Sequence, residues 1–266
     1  MATTVAKTIE TDQEIMARLR ERFEILEDMT RAVKGGTVRA MIVSGAAGVG
    51  KSHGVEKVLQ NHTLLSLIAQ DESLKKFEVV KGAMTALGLY AKLYEYRHKE
   101  HILVFDDCDS VFSDEVSLNI AKAALDSNEK RVLHWNADSN KLKEEGIPNS
   151  FEFCGGVIFI TNVDFNHVRS KKLRSHLDAL SSRCHYLDLT VHTVREQLLR
   201  IRQVVDDGLL EKYKMPQKLK DDVVKFVCDN PNKLRELSLR TVVKAAELAI
   251  SFPDKWERMA RVTLMK

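Results

Sequence analysis

Short, mostly apolar runs of residues alternate with stretches of helical periodicity over the first 190 positions. The runs cover residues 40–43, 77–80, 102–105, 157–160 and 186–189. Because several of them are apolar at every position, the pattern predicts strands that are buried on both faces, as in a parallel sheet covered by helices. We therefore expect an α/β fold built on a parallel five-stranded sheet.

Helical signals precede the first strand. Thr11 and Glu14 have the spacing of a capping box, and apolar residues follow at helical intervals until Gly35 and Gly36. In a capping box the hydroxyl and the carboxylate each accept a backbone N–H group at the start of a helix. The pattern predicts one long amphipathic helix that ends at the glycine pair.

Strand signals end after the fifth run, and helical signals continue to the C-terminus. Thr193 and Glu196 form a second capping box, and apolar residues at helical spacing extend over residues 234–248. This change of pattern predicts two domains, an α/β domain over residues 1–190 and a small all-helical domain over residues 191–266.

The composition is that of a globular chain without a membrane segment. Of the 266 residues 44% are hydrophobic, and no apolar run has the length of a membrane span or of a signal-peptide core. With 41 basic and 38 acidic residues the net charge is +3, so charge alone does not indicate a nucleic-acid partner. The four cysteines lack metal-ligand spacing, and we expect free, buried thiols in a cytoplasmic protein.

The segment GAAGVGKS follows the first strand and precedes a helical pattern. It has the form of a P-loop, in which backbone N–H groups and a helix N-terminus bind phosphate oxygens. In such a loop the lysine, here Lys51, reaches the β- and γ-phosphates of ATP, and the hydroxyl, here of Ser52, ligates Mg²⁺. The predicted nucleotide-binding residues are Gly45, Ala46, Ala47, Gly48, Val49, Gly50, Lys51, Ser52 and His53.

Two carboxylates, Asp106 and Asp107, stand at the end of the third strand. At that position Asp106 is expected to hold Mg²⁺ together with Ser52. Asp107 fits the role of orienting and polarising the water that attacks the γ-phosphate. Asp109 is close enough in sequence to be the alternative base. The pattern therefore predicts an ATP site whose chemistry is hydrolysis.

The order of P-loop, acidic strand end and C-terminal helical region resembles the AAA+ ATPases over nearly the whole chain. The chain is also similar to the compact single-module AAA+ proteins of tailed phages. The resemblance implies a five-stranded parallel sheet, a helical lid and a ring, commonly a hexamer, with ATP between subunits. The segment GVIFITN resembles the sensor-one strand of the family, whose polar residue would be Asn162. An amide there can hold the attacking water or a γ-phosphate oxygen in line.

The same resemblance implies two roles for arginines. The segment LDALSSRC resembles the family segment that carries the arginine finger. By this resemblance the finger would be Arg183, and Arg174 is the alternative. A finger from a neighbouring subunit neutralises charge on the transferred phosphoryl group. The segment NKLREL resembles sensor two at the start of a lid helix. There Arg235 would contact the γ-phosphate, with Arg240 as the weaker candidate.

An insertion precedes the sensor-one strand. Its ends, residues 131–135 and 150–153, predict the strands of a hairpin, and the polar part between them contains Lys141 and Lys143. AAA+ proteins of the branch that includes DNA helicases, branch-migration motors and several unfoldases have such a hairpin in the ring channel. By that resemblance the two lysines would follow a DNA or RNA backbone without reading its sequence. The alternative is a solvated loop, because two neighbouring glutamates dilute the positive charge.

These residues favour a Mg²⁺-dependent ATPase that acts on nucleic acid as a motor or loader in replication, recombination or remodelling. A protein-remodelling ATPase and a slow ATP switch or scaffold are the alternatives. The family most often has Asp-Glu where this chain has Asp106-Asp107, and the shorter side chain is compatible with slow hydrolysis. The loop after the second strand lacks the aromatic residue of protein-threading members, which disfavours the unfoldase. Without a winged-helix or zinc-finger pattern, sequence-specific DNA binding is not expected.

Overall fold

The structure is a computed structural model that describes residues 10–69, 77–168 and 170–266. Residues 1–9, where no signal sequence is expected, lie outside the described residues. The described chain divides into two compact units. The sheet unit contains the described parts of Glu24–Ala46 and Lys51–Thr190, and the helical unit contains those of Met1–Phe23, Ala47–Gly50 and Val191–Lys266. The domain boundary at residue 190 remains a prediction.

Five parallel strands form one sheet within the described part of the sheet unit. They are β1 (Ala40–Ser44), β2 (Phe77–Lys81), β3 (Ile102–Asp106), β6 (Gly156–Thr161) and β7 (His185–Asp188). Their spatial order is β2-β3-β6-β1-β7. Every residue of β1 and β3 is buried, as expected for apolar strands covered on both faces. The α/β fold class and the five strands expected from the apolar runs are confirmed.

The register of the sheet brings the ends of four strands together. Ser44 pairs with Thr161, Asp106 pairs with Ile160, and Lys81 pairs with Asp106. The residues that follow β1, β3 and β6 therefore emerge at the same carboxyl edge. In open α/β sheets this edge is where ligands bind.

The insertion before β6 is an antiparallel hairpin, as predicted. Its strands are β4 (Val132–His134) and β5 (Ser150–Glu152), in which Leu133 pairs with Phe151. Both of these side chains are buried, whereas their neighbours along each strand are exposed. A short helix, α6 (Asn140–Glu144), lies between the strands and buries Leu142. Sequence analysis did not predict this helix.

Helices of the sheet unit cover the sheet and supply the remaining apolar surface of its core. They are the second half of α1 (Asp12–Gly35), α2 (Lys51–Ala69), α3 (Ala86–Glu95), α4 (Ser110–Ser113), α5 (Glu115–Ala124), α6 and α7 (Lys171–Ser181). The N-terminal capping box is formed, since Thr11 N–H donates to Glu14 and Glu14 N–H donates to Thr11 Oγ1. Tyr90 on α3 is buried.

The helical unit has its own apolar core. Besides the first half of α1, its helices are α8 (Val194–Asp206), α9 (Gln217–Asp229), α10 (Leu239–Ser251) and α11 (Trp256–Leu264). The second capping box is present at the start of α8, with Thr193 and Glu196 in the expected roles. No helix in the described part of the chain is long and apolar enough to cross a membrane.

The start of α10 differs from the prediction. The apolar spacing over residues 234–248 predicts one helix, but α10 begins only at Leu239, where the Ser238 hydroxyl accepts the Thr241 N–H group. Leu234 instead forms an isolated antiparallel bridge with Met265. Periodicity alone missed this boundary because Ser238 as N-cap decides it.

Candidate functional site

The P-loop begins in the sheet unit directly after β1. Gly45 has φ +149° and is buried, and a Cβ atom there would lie 3.0 Å from the carbonyl carbon of Leu189. A side chain at this position would force the backbone of residue 189 to move. The close approach explains why the motif needs glycine here.

Lys51, the first residue of α2, is 5% exposed. Its ammonium donates hydrogen bonds to the carbonyl oxygens of Gly45 at 2.8 Å and Ala46 at 2.9 Å, and to Asn162 Oδ1 at 2.9 Å. A buried ammonium requires such acceptors, because its desolvation is costly. Phosphate oxygens can serve as acceptors in the same way.

Ser52 and Asp106 form an oxygen pair beside this lysine. The Ser52 hydroxyl donates to Asp106 Oδ1 at 2.9 Å, and Asp106 is 4% exposed at the end of β3. Carboxylate and hydroxyl oxygens are hard ligands of the kind that Mg²⁺ prefers. The two side chains fit a magnesium ion, as the sequence predicts, and they lie next to the lysine that would bind phosphate.

Asp107 adopts an unusual backbone conformation immediately after that strand. Its φ is +55°, in the left-handed region that Asp and Asn tolerate better than most residues. The Asp107 N–H group donates to the carbonyl oxygen of Ile160 in the neighbouring strand at 3.1 Å. The backbone therefore turns while it is still anchored to the sheet, and the carboxylate is exposed.

Asn162 links Asp107 to the P-loop lysine. Its Nδ2 donates to Asp107 Oδ1 at 2.7 Å, while its Oδ1 accepts from Lys51. This orientation of the amide follows from its partners, because an ammonium only donates and a carboxylate only accepts. A continuous chain of hydrogen bonds thus runs from Lys51 through Asn162 to Asp107.

Cys108 and Asp109, which follow Asp107 in the sequence, have different environments. Asp109 Oδ1 accepts from the Thr161 hydroxyl at 2.5 Å, so Asp109 is tied to the end of β6. Burial raises the pKa of the Cys108 thiol to about 11, which keeps it protonated at neutral pH. Within the described residues all four cysteines are free, but Cys154 is exposed, contrary to the expectation of buried thiols.

One site residue, Lys81, was missed by sequence analysis. Its ammonium lies 3.2 Å from Asp106 Oδ2 and 3.0 Å from Glu56 Oε1. Its pKa is raised, first by the hydrogen bond to Glu56. The signal that identifies it is the register of β2 with β3, which the sequence does not reveal.

The tip of the P-loop, Ala47–Gly50, belongs to the helical unit. Gly48 and Gly50 have φ values of +72° and +105°, which favour glycine. The carbonyl oxygen of Gly48 accepts the Leu239 N–H group at 3.0 Å. Val49 is buried in a cluster with Leu19 and other apolar residues. Of the remaining predicted binding residues, Ala46 and His53 are exposed.

The arginines implied by the resemblance bind backbone carbonyl oxygens. Arg183, just after α7, is half-buried and donates to the carbonyl oxygen of Ala179 at 2.6 Å. Arg174 donates to that of Val168 at 2.8 Å. Neither of these two hydrogen bonds involves Lys51, Asn162 or Asp107.

In the helical unit Arg235 lies outside the helix to which the sequence assigned it. Its Nε donates to the carbonyl oxygen of Met265 at 2.8 Å, and its N–H group donates to that of Leu264. The arginine in the first turn of α10 is Arg240, which is exposed. The predicted position at a helix start is therefore that of Arg240, since Ser238 delays the helix.

No family model matches the chain. Over 259 residues it is 35% identical to the uncharacterized 36.7 kDa protein in the nrdC-mobD intergenic region of Enterobacteria phage T4, a match that covers 96% of this chain and 77% of the phage protein. The chain belongs to the family of that phage T4 protein. A phage homologue thus exists, and its name gives no activity for the family.

Solved structures give weaker likenesses. The ORC1 protein of Aeropyrum pernix in complex with DNA is 11% identical with a TM-score of 0.49, and the match covers 98% of this chain and 67% of that one. The ADP form of the ORC2 protein of the same organism is 14% identical with a TM-score of 0.46, covering 99% and 71%. Both scores are below 0.5, so the P-loop α/β fold rests on the strand order and on the residues at the sheet edge.

Proposed function

We propose that the chain is a Mg²⁺-dependent ATPase of the AAA+ class. The observation that carries this proposal is the convergence of five side chains at the carboxyl edge of the sheet. Lys51, Asn162 and Asp107 form one hydrogen-bonded chain, and Ser52 and Asp106 form the adjoining oxygen pair. A passive phosphate site needs the lysine alone, whereas hydrolysis also needs a metal site and a base.

ATP binding requires Lys51 to exchange its acceptors. The ammonium would release the carbonyl oxygens of Gly45 and Ala46 and donate to phosphate oxygens instead. Ser52 and Asp106 would hold the metal ion, which neutralises charge on the β- and γ-phosphates when it is bound. The bonds that Lys51 makes in the structure keep it desolvated and oriented toward the loop that would hold the phosphates.

Hydrolysis is assigned to Asp107 and Asn162. The Asp107 carboxylate would accept a proton from water as the water oxygen bonds to the γ-phosphorus and the bond to ADP breaks. Asn162 would orient that water or a γ-phosphate oxygen, since it already holds both Lys51 and Asp107. Asp109 is a poorer candidate for the base because it accepts the Thr161 hydroxyl.

A ring of identical subunits, with six as the expected number, would supply the last cationic group in trans. Arg183 is the proposed finger, and Arg174 is the alternative. In the helical unit the proposed γ-phosphate sensor is Arg240 rather than Arg235, because Arg240 is exposed in the first turn of a helix. Such a contact would couple hydrolysis to movement of the helical unit.

Replacing Arg183 with alanine is expected to lower kcat for ATP hydrolysis by about 10³-fold and to leave ATP affinity within about threefold. The physical reason is that a finger acts on charge that develops during phosphoryl transfer. Phosphate release and equilibrium ATP binding measure the two quantities. Arg174→Ala is the comparison variant, because Arg174 on α7 is the alternative finger and is expected to keep the unmutated kcat if Arg183 is the finger. Full hydrolysis by the Arg183 variant would move the finger to Arg174 or remove the ring from the account.

Nucleic acid is the proposed substrate of the motor, through the hairpin helix α6. Lys141 and Lys143 are 63% and 62% exposed, but they pair with Glu145 at 3.9 Å and with Asp138 at 3.1 Å. Exposed pairs of this kind are weak and exchange readily for phosphate contacts. A protein-remodelling ATPase and an ATP switch or scaffold remain the alternative functions.

We expect single-stranded DNA, duplex DNA or RNA to stimulate ATP hydrolysis, and the stimulation to fall steeply as salt is raised. Replacing both Lys141 and Lys143 with glutamate is expected to abolish the stimulation without changing the basal rate. Phosphate release with each nucleic acid, and with denatured protein as a separate addition, measures this. Stimulation by denatured protein alone would favour the remodeller, and an undiminished nucleic-acid response in the double variant would exclude the hairpin lysines.

A further inference from the structure

Lys81 is held beside the candidate metal ligand by the backbone itself. It is the last residue of β2, and the parallel register pairs it directly with Asp106, the last residue of β3. Neighbouring strands lie about 4.8 Å apart, so the backbone places the Lys81 side chain within reach of the Asp106 carboxylate.

The Lys81 ammonium bridges two carboxylates. It lies 3.2 Å from Asp106 Oδ2 and 3.0 Å from Glu56 Oε1 of α2. The two carboxylate oxygens of Asp106 thus have different partners. Oδ2 lies beside the Lys81 ammonium, and Oδ1 accepts a hydrogen bond from the Ser52 hydroxyl. Asp106 is almost completely buried, whereas the Lys81 side chain is 58% exposed.

This arrangement places a cation where a metal ion would have to act. Mg²⁺ bound by Ser52 and Asp106 would carry two positive charges within a few ångströms of the ammonium, and like charges at that distance repel. Lys81 has an alternative partner in Glu56, which can keep the ammonium when Asp106 is released. Removal of Lys81 would leave Asp106 and Glu56 uncompensated and increase the negative potential at the site.

We propose that Lys81 competes with the divalent cation for Asp106. In this account the ammonium neutralises Asp106 while no metal is bound, and it withdraws to Glu56 when Mg²⁺ arrives. The lysine therefore sets how much Mg²⁺ the site requires. The inference rests on the proposed function for its biological meaning, but the competition itself is a property of the metal site.

The test is a direct titration of the full chain with Mn²⁺ in the absence of nucleotide. Electron paramagnetic resonance measures the concentration of free Mn²⁺ during the titration. Lys81→Met is expected to bind Mn²⁺ roughly fivefold more tightly than the unmutated chain, since a partly exposed ion pair contributes up to about that factor. Lys81→Arg keeps the charge and is expected to stay within about twofold of the unmutated affinity. In a second arm, the Mg²⁺ concentration that half-saturates binding of a non-hydrolysable ATP analogue is expected to fall by the same factor in Lys81→Met.

Lys57→Met is the matched control. Lys57 lies on α2, is 55% exposed and pairs with Glu27 at 2.9 Å, so the variant removes a similar ion pair without touching Asp106. Unchanged or weaker Mn²⁺ binding by Lys81→Met would overturn the inference, as would an equal gain in Lys57→Met or no binding by any variant at millimolar Mn²⁺. If the Mn²⁺ arm behaves as expected but no variant binds the ATP analogue, the proposed function fails and the competition stands.

Discussion

Replacing Lys51 with methionine is expected to weaken ATP binding by at least about 100-fold. In the proposed complex the Lys51 ammonium donates to phosphate oxygens, and hydrogen bonds to charged groups contribute about 1.5–3 kcal/mol each when a partner is removed. Methionine is of similar length and apolar, so it can occupy the buried position without leaving an unpaired charge. Isothermal titration calorimetry with Mg²⁺ and ATP measures the affinity.

Circular dichroism and the melting temperature show whether the Lys51 variant is folded. Lys57→Met serves again as the control, because it removes an exposed lysine from the same helix. It is expected to bind ATP like the unmutated chain. If the folded Lys51→Met chain bound ATP with unmutated affinity, the P-loop would not be the phosphate site.

The second large effect is expected from Asp107→Asn, which should lower kcat for ATP hydrolysis by at least about 100-fold while ATP affinity is retained. An amide cannot accept the proton of the attacking water, and general bases contribute about 10²- to 10⁴-fold. Asparagine tolerates the left-handed φ of +55° at this position, so the backbone turn after β3 is preserved. Single-turnover phosphate release separates the chemical step from binding.

Asp109→Asn distinguishes the two carboxylates. Asp109 accepts the Thr161 hydroxyl, and an asparagine oxygen can accept the same bond, so this variant is expected to keep most of the hydrolysis rate. If Asp107→Asn hydrolysed ATP at the unmutated rate while Asp109→Asn did not, the base would be Asp109. If both kept the rate, neither carboxylate would be the base.

The parts of the fold that the sequence predicted are those determined by local pattern. The five mostly apolar runs became the five strands of the sheet, and the reason is clearest for β1 and β3, because a strand buried on both faces must be apolar along most of its length. Both capping boxes formed, because each depends on two residues three positions apart. The P-loop lysine and the acidic strand end also came together, since both follow from the motif and from the parallel arrangement of β1 and β3.

The parts that could not be predicted depend on pairing between distant segments. Lys81 lies beside Asp106 because β2 and β3 are in that register, and the register depends on pairing between two strands that are distant in the sequence. The left-handed turn at Asp107 is anchored by Ile160 of another strand. The helix start expected near Arg235 was wrong for a related reason, since the contact of Arg235 with Met265 lies outside α10, which begins at Leu239.

The hairpin of β4 and β5 contains features that the sequence predicted and features that it did not. The residue pattern predicted its two strands correctly, and in the structure Leu133 and Phe151 form the buried pair between them. The helix between them and the ion pairs of its two lysines were not predictable, because they depend on how Leu142 is buried. The positive charge that suggested nucleic acid is thus partly compensated in the structure, which makes the salt dependence of any stimulation the informative observation.

Calorimetric titration of the unmutated chain with ATP, once with Mg²⁺ and once with EDTA, tests the central claim most directly. We expect saturable binding of one ATP for each chain, tighter in the presence of Mg²⁺ because Ser52 and Asp106 would hold the metal ion against the phosphates. Absence of heat at millimolar ATP with Mg²⁺ would contradict the account. Equal affinity with Mg²⁺ and with EDTA would remove Ser52 and Asp106 from the site.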